Sequence, residues 1–301
     1  MSIEYRPGVE EDDPVTYDVF ARATRELNRR RGLPDRIAYQ PPPRFLAFRR
    51  YARAHHGDAY WVAHDGHRTV GFGIGIRHPG VWYLAALHVL PEYQGLGIGR
   101  RLLDLTLGTA ERSDAVCAIS AGMQPSANAI YVRAGMLPWT PVFEWETAPG
   151  GIVPEITVAA DADVQPTDDL GVVADVDRRV MGIDRAGQLS FWLEQPDVEC
   201  LVLSVDGVPA GYAFVSDEGG VGPAAVLDES DAGPLLSAAV GRLRQRGIGQ
   251  VSLKLAGLSP GAYDVVRHLG LRIASTVLIV VSSRPLWTTG CYVPSAGDAL
   301  Y

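Results

Sequence analysis

Three glycines at alternating positions, Gly95, Gly97 and Gly99, follow an apolar run that covers residues 81–89. The run is rich in β-forming residues and predicts a buried strand, which Pro91 ends because proline has no N–H for a ladder. The glycines allow a tight turn whose backbone N–H groups point one way, and apolar residues at helical spacing follow. Free N–H groups at a helix N-terminus attract anions. The stretch therefore predicts a site for a phosphate-bearing ligand.

The spacing of the loop separates it from two other phosphate-binding loops. A dinucleotide fingerprint needs Gly-x-Gly-x-x-Gly, but counted from Gly95 the last position holds Arg100. A P-loop needs Lys and then Ser or Thr, whereas two arginines follow the last glycine here. The pattern that fits is Gln94-x-x-Gly97-x-Gly99.

A second patterned stretch begins at Gln124 and places Ala127, Tyr131 and Gly135 at helical intervals before Met136. Together the two stretches resemble the signatures of the GCN5-related N-acetyltransferase (GNAT) family, Arg/Gln-x-x-Gly-x-Gly/Ala and Asn-x-x-Ala-x-x-x-Tyr-x-x-x-Gly-Phe. Gln124 and Met136 depart from the second signature at its first and last positions. The resemblance covers the first half of the chain.

The resemblance implies a cofactor and a set of site residues. In GNAT proteins the glycine loop holds the pyrophosphate of acetyl-CoA, and the strand before it splays so that the pantetheine arm pairs like an added strand. The backbone of residues 87–89 would take that part here, with one N–H supporting the oxyanion, and Tyr131 would be the general acid. A packed aromatic is the alternative role for Tyr131. The implied cofactor-binding residues are Leu87, His88, Val89, Gln94, Gly95, Leu96, Gly97, Ile98, Gly99, Arg100, Asn128 and Tyr131.

The sequence leaves the general base open. Where some GNAT proteins have a glutamate, this chain has Tyr83, Leu84 and Ala85, none of which is a base at neutral pH. Three alternatives are a water relay, His88, which ranks below the relay, and the terminal carboxylate of Tyr301.

The chain also contains an internal repeat. Its length of 301 residues predicts two domains. An Asp-Gly turn at residues 65–66 and the strand start at 70–72 recur at 206–207 and 210–212, an offset of about 140 residues. Repetition of this length predicts a duplicated domain.

The fold predicted from these patterns is α/β, with two GNAT-like domains in tandem. Each is expected to be a central mixed, mostly antiparallel, twisted sheet flanked by helices. Residues 1–146 are predicted to form the catalytic domain that binds acetyl-CoA, 147–154 a linker, and 155–301 a degenerate domain without the cofactor loop.

The second half differs where the phosphate loop should lie. Asp228, Glu229 and Asp231 would repel pyrophosphate there, and Pro234 has no N–H to offer. A Gly-x-Asp-Arg stretch that ends at Arg185 resembles one found in tandem acetyltransferases with a degenerate second domain. A helix cap with a surface ion pair is the alternative interpretation of that stretch.

Charge and composition restrict the classes of partner. The net charge is −8, with 17 arginines against 16 carboxylates in residues 1–150 and most of the negative charge in the remainder. A polyanionic cofactor would prefer the first half. The sequence has no basic patch with interleaved aromatic residues, so nucleic-acid binding is not expected. Three scattered cysteines predict neither a disulfide framework nor a metal site. No apolar run is long enough for a membrane helix. The cytoplasm is the expected compartment, and the sequence leaves open whether the protein is a monomer or a homodimer.

The predicted function is transfer of an acetyl group from acetyl-CoA to a primary amine of a small molecule or peptide, by direct attack in a ternary complex. Two alternatives stay open. One is a non-catalytic protein that binds or senses acyl-CoA, because no base is evident. The other is a transferase for a longer acyl group.

Overall fold

The computed structural model describes residues 2–108, 116–122, 124–151, 163–257, 259–281, 285–287 and 290–294. The chain folds as two compact units, Met1–Leu137 and Pro138–Tyr301.

The first unit contains five strands among its described residues. Their order in the sheet is β1-β2-β3-β4-β5, antiparallel from β1 to β4 and parallel between β4 and β5. The elements are β1 (Ile3–Pro7), α1 (Asp13–Arg31), α2 (Pro43–His56), β2 (Tyr60–Asp65), β3 (Arg68–His78), β4 (Val81–Val89), α3 (Ile98–Leu107), β5 (Val116–Gly122) and α4 (Pro125–Arg133).

Close packing of α3 on the sheet depends on glycines in β3. A Cβ atom added at Gly73 would lie 2.9 Å from Thr106 Cγ2, and one added at Gly75 would lie 2.6 Å from Trp82 Nε1. Since real side chains do not approach so closely, only glycine lets the helix settle at this distance. The Trp82 indole N–H also donates to the Thr106 carbonyl at 3.2 Å. These contacts fix the helix whose first turn forms the candidate site.

The second unit repeats this plan and adds strands. Its sheet runs β12-β6-β11-β10-β9-β8-β7, with β13 also paired to β10. Strands β7 to β10 are antiparallel and the β10–β11 pair is parallel, as in the first unit. The elements are β6 (Leu137–Glu146), β7 (Asp163–Thr167), α5 (Leu170–Met181), α6 (Ala186–Leu193), β8 (Val198–Val205), β9 (Val208–Ser216), β10 (Gly220–Val226), α7 (Ala232–Gln245), β11 (Ser252–Ala256), α8 (Pro260–Leu269), β12 (Arg272–Val281) and β13 (Tyr292–Val293).

Strand β6 differs from its sequence-based expectation. The sequence predicts two short strands at residues 136–139 and 142–145 that close the first domain. The structure has one strand, Leu137–Glu146, and five consecutive residue pairs join it to β11. The division between the units consequently lies at Leu137, before the boundary expected at 146.

A buried ion pair lies at the centre of the second unit. The Arg185 guanidinium donates to both carboxylate oxygens of Asp177, at 3.0 and 2.5 Å, and the Tyr212 hydroxyl donates to the same carboxylate at 2.5 Å. Side-chain exposure is 2% for Arg185 and 0% for Asp177. Gly182 ends α5 in a left-handed conformation, as a cap should. The surface ion pair considered as an alternative for this stretch is therefore wrong, because the pair is enclosed.

Within the described part of the chain, no helix combines the length and apolar character needed to cross a membrane.

Candidate active site

Strands β4 and β5 of the first unit separate partway along their length. Among the described residues they are paired only at Val81, Trp82 and Tyr83 of β4. The register of β4 against β3 shifts immediately afterwards, which makes Ala85 the extra residue of a β-bulge. A bulge bends and twists the strand that carries it. Within the described residues, β4 beyond the bulge therefore has β3 on one side and an unpaired backbone edge on the other.

The glycine loop follows this open edge. Gly95 and Gly97 have φ of +81° and +82°, the left-handed region that glycine alone adopts readily. Gly97 is the N-cap of α3, with no side-chain cap and no carboxylate in the first turn. The amides of residues 95–100 donate to no backbone carbonyl among the described residues, and the first amide that does so is that of Arg101. Six adjacent N–H donors thus meet the positive end of a helix dipole.

Two side chains fix the loop to its surroundings. The Gln94 amide donates to the carbonyl of Val89, the last residue of β4, at 3.0 Å. Glu92 accepts from Arg22 at 2.9 Å and from Arg68 at 2.6 Å. Its exposed, doubly paired carboxylate ties the loop to α1 and β3, so Glu92 has a structural role.

Helix α4 borders the loop from the side of α3. A Cβ atom added at Gly99 would lie 3.8 Å from Ile130 Cδ1 and 3.7 Å from Val89 Cγ2, so these three residues are neighbours. Tyr131 is 3% exposed, and its hydroxyl makes no hydrogen bond to the described residues. Burial raises the pKa of this hydroxyl well above its usual range, so it stays protonated. The Asn128 amide donates to the Gly122 carbonyl at 3.4 Å.

His88 lies on the opposite face of β4 from Leu87. Its ring stacks on Phe72 at 5.4 Å and meets Phe20 of α1 edge-on at 5.2 Å. Burial, with a smaller contribution from the charge of Arg49, lowers the pKa of His88 to about 3. The imidazole is therefore neutral throughout the physiological range.

An aromatic and cationic cluster continues from His88 toward α2. The Arg49 guanidinium lies 3.9 Å from the centre of the Phe45 ring and 4.9 Å from that of Phe72. Phe20 and Phe45 are 5.7 Å apart and half-buried. We name Phe20, Phe45, Arg49, Phe72 and His88 the α1/α2 cluster.

The structure brings most of the predicted site residues together. Residues 94–100 form the loop, residues 87–89 supply the open edge, and Tyr131 lies on the helix beside Gly99. His88 has its backbone at this edge and its ring in the α1/α2 cluster. Asn128 is directed instead to the end of β5. Tyr301 lies outside the described residues.

The bulge at Ala85 and the α1/α2 cluster were not predicted from the sequence. The alternating glycines of β3 were a signal for irregular strand pairing next to β4. No local signal marked the cluster, because its members come from α1, α2, β3 and β4 and meet only in the folded chain.

Comparisons with known proteins agree with this geometry. Residues 22–136 match the model of the acetyltransferase (GNAT) family. No curated protein sequence matches the chain. A candidate acetyltransferase from Pyrococcus horikoshii is 15% identical with a TM-score of 0.78, over 99% of this chain and 96% of that one. A GCN5-related N-acetyltransferase from Sphaerobacter thermophilus is 14% identical with a TM-score of 0.66, over 95% and 96%.

A third similar structure has the same two-unit plan. It is a tandem GNAT protein from the clavulanic acid biosynthesis pathway, 16% identical with a TM-score of 0.58, over 94% of this chain and all 100% of that one. At such identities these structures establish the fold. The match of residues 22–136 lies within the first unit and places an acetyltransferase (GNAT) domain there, and the similar structures show two units of this fold in tandem along the sequence.

Proposed function

We propose that the first unit transfers an acetyl group from acetyl-CoA to a primary amine of a small molecule or peptide, by direct attack in a ternary complex. The observation that carries the proposal is the combination of six free amides at residues 95–100 with the open edge of β4. The amides suit a diphosphate, and the open edge suits the amide groups of a pantetheine arm. Few ligands other than a coenzyme A thioester contain a diphosphate followed by an extended arm with amide groups.

The electrostatics of the loop favour a diphosphate. The first turn of α3 contains no carboxylate, and the exposed Arg100 and Arg101 lie in it. Glu92, the nearest carboxylate along the chain, is neutralised by its two arginine partners. A dianionic group at residues 95–100 would therefore meet N–H dipoles and guanidinium charge without nearby repulsion.

The residues of the open edge have two tasks. The backbone of residues 87–89 holds the thioester arm, and an N–H beside the bulge at Ala85 can donate to the carbonyl oxygen as it gains charge. Bound acetyl-CoA supplies an activated thioester carbonyl. Transfer forms the amine's bond to the carbonyl carbon and breaks the carbon–sulfur bond. The amine loses one proton and the leaving sulfur gains one.

Tyr131 is the donor toward the leaving sulfur in this proposal. Its raised pKa keeps the hydroxyl protonated at every working pH, and the hydroxyl has no competing partner among the described residues. It can therefore stabilise a developing thiolate by donating a hydrogen bond to it.

The amine is expected to approach from the α1/α2 cluster. Leu87 and Val89 face α3, which together with α4 covers the other side of the edge. The half-buried rings of Phe20 and Phe45 offer an apolar surface, and the adjacent Arg49 charge disfavours a polycationic acceptor. We therefore favour an amine attached to an apolar or aromatic body.

A water relay is the base that the geometry favours. With a pKa of about 3, the His88 imidazole is unprotonated at neutral pH. It is also too weak a base to accept a proton from an ammonium group. None of the three positions that precede Ala86 holds a base at neutral pH, since these are Tyr83, Leu84 and Ala85.

The test of the proposal is a comparison of the wild type with Tyr131→Phe. Calorimetric titration with acetyl-CoA should give one binding event with closely similar Kd in both proteins. Thiol release across a panel of aromatic and aliphatic amines should give turnover in the wild type and at least a tenfold lower kcat in the variant. Binding without turnover on any amine would favour a sensing protein. Absence of binding would overturn the proposal.

A further inference from the structure

The second unit contains a cleft of the same construction as the candidate active site. In the part of the second unit that the structure describes, β10 is paired with β11 only at Gly220 and Val221. Its register against β9 then shifts between Val221 and Ala224, which places a bulge at residues 222–223. As in β4, the strand leaves its parallel neighbour where the bulge begins. Beyond that point β10 has β9 on one edge, and its other edge faces a slot.

Residues of the same unit fill this slot. Strand β13 pairs antiparallel with β10, Ala224 opposite Val293 and Ala225 opposite Tyr292. The Val226 amide donates to the Cys291 carbonyl at 2.9 Å and extends the ladder. Ala224 and Ala225 are also paired with β9, so β13 lies on the edge that the bulge has opened. A cavity of about 10 Å³, enough for about one water molecule, lies between β10, β13 and α7.

The buried ion pair of this unit holds the inserted strand. The Arg185 guanidinium that binds Asp177 also donates to the Tyr292 hydroxyl at 3.1 Å and lies 5.0 Å from the centre of that ring. Tyr292 is fully buried, and Trp287 packs against it at 5.0 Å. A hydrogen bond to a charged, enclosed donor is stronger than an exposed neutral one. The guanidinium that anchors β13 is thus almost fully enclosed, since Arg185 is 3% exposed.

The anion site of the loop is also taken by the chain itself. Glu229 precedes α7, and its carboxylate lies directly against Gly290, where even a Cβ atom would collide with it. The Asp228 carboxylate accepts from the Ser230 amide at 2.9 Å, which occupies one of the donors before the helix. Negative charge thus lies where the first unit has free N–H groups.

We propose that residues 290–294 are the permanent occupant of the second unit's cofactor slot, in the place that a pantetheine arm would take, with Arg185 as their anchor. The name given to the slot rests on the function proposed for the matching edge of the first unit. The pairing of β13 itself does not depend on that function. The second unit thus has the acetyltransferase fold with its cofactor slot occupied by residues of the same unit. Each chain consequently binds one coenzyme.

Hydrogen exchange tests the occupant. Tyr292→Phe removes the hydroxyl that receives the Arg185 bond, and Tyr212→Phe is its matched control, because it removes one hydroxyl from the same network on β9. In the wild type the amides of residues 224–226 and 291–293 should be protected. Tyr292→Phe should speed their exchange about fivefold, the factor for loss of one buried hydrogen bond, and Tyr212→Phe less than twofold. Unprotected amides in the wild type, or equal effects of the two variants, would overturn the proposal.

Native mass spectrometry with acetyl-CoA tests the closure of the slot. The wild type should bind one coenzyme per chain, and Gly99→Glu, which places a charge in the first unit's loop, should bind it far more weakly. Two coenzymes on the wild type would show that the second slot is open and would overturn the inference. If the wild type binds none, the function proposed for the first unit fails. The exchange measurements then still decide whether β13 occupies its slot.

Discussion

Gly99 is the position at which the phosphate-binding role of the loop can be tested with least damage to the fold. Gly95 and Gly97 have positive φ, so any side chain there would strain the backbone. Gly99 lies in the first turn of α3, where an added Cβ would make ordinary contacts of 3.7 and 3.8 Å. Gly99→Glu and Gly99→Gln have nearly the same shape. They differ by one negative charge among the free amides.

The expected difference between the two variants follows from Coulomb's law. A carboxylate about 4 Å from a phosphate charge costs about 4 kcal/mol at an effective dielectric of about 20, the value suited to a site near the protein surface. Solvent and movement of the flexible side chain reduce this, so we expect about 2–4 kcal/mol. That corresponds to a Kd for acetyl-CoA about 30- to 1,000-fold weaker in Gly99→Glu than in Gly99→Gln. Any steric cost is common to both and cancels.

Isothermal titration calorimetry measures this ratio directly. Titrations at about 20 and 200 mM salt should show the ratio shrinking at the higher concentration, because part of the repulsion is screened. Equal thermal midpoints would establish that both variants fold alike. If the two variants bind acetyl-CoA within twofold of each other, the amides of residues 95–100 do not hold the diphosphate, and the proposed cofactor site is wrong.

Two further predictions concern buried charge. Asp177→Asn should lower the free energy of unfolding of the second unit by about 3–5 kcal/mol, because it leaves the Arg185 charge buried without its partner. Asp264→Asn, which breaks an exposed pair with Arg267, should cost less than about 1 kcal/mol. Urea titration followed by hydrogen exchange of β8 and β9 measures both losses, and equal losses would contradict the enclosure of the Asp177–Arg185 pair. The pKa of His88 falls from 6.5 unfolded to about 3 folded, so its contribution to stability is complete above pH 6.5 and is lost as the pH falls toward 3. Between pH 7 and 5 the wild type should therefore lose about 1–2 kcal/mol more than His88→Gln, as measured by urea unfolding at both pH values, and parallel losses would show that His88 is not held neutral.

The loop and the helix after it could be predicted because their signals are local. Pro91 ends β4, the glycines turn the chain, and helical spacing of apolar residues begins at Ile98, where α3 does begin. The repeated Asp-Gly turns likewise predicted two matching sets of strands, and both sheets have the same order of antiparallel and parallel pairs. Local chemistry determined these features, so the sequence was sufficient for them.

Features that depend on distant partners could not be predicted in this way. The pattern over residues 136–145 predicts two short strands, but only the folded sheet shows that they form one strand, β6, and that its partner is β11. Arg185 occurs in a stretch that equally fits an exposed cap, and its burial depends on Asp177, Tyr212 and Tyr292, which come from three other elements. The α1/α2 cluster has the same origin. Strand β13 consists of two residues, too few for any periodicity.

The edge of β4 is open and the matching edge of β10 is paired with β13, and this difference indicates how a coenzyme site can be lost. A buried strand edge without partners leaves N–H and C=O groups unpaired, at a cost that folded proteins avoid. In the first unit β4 beyond Ala85 has no strand on one edge among the described residues, so solvent or a ligand must satisfy those groups. In the second unit the edge beyond the bulge of β10 is satisfied by β13. Replacement of the glycine loop by carboxylates alone would have left that edge exposed and prone to pair with other chains. Insertion of the chain's own segment removes this hazard, and it explains why the strand that fills the slot is anchored to a buried ion pair instead of to the surface.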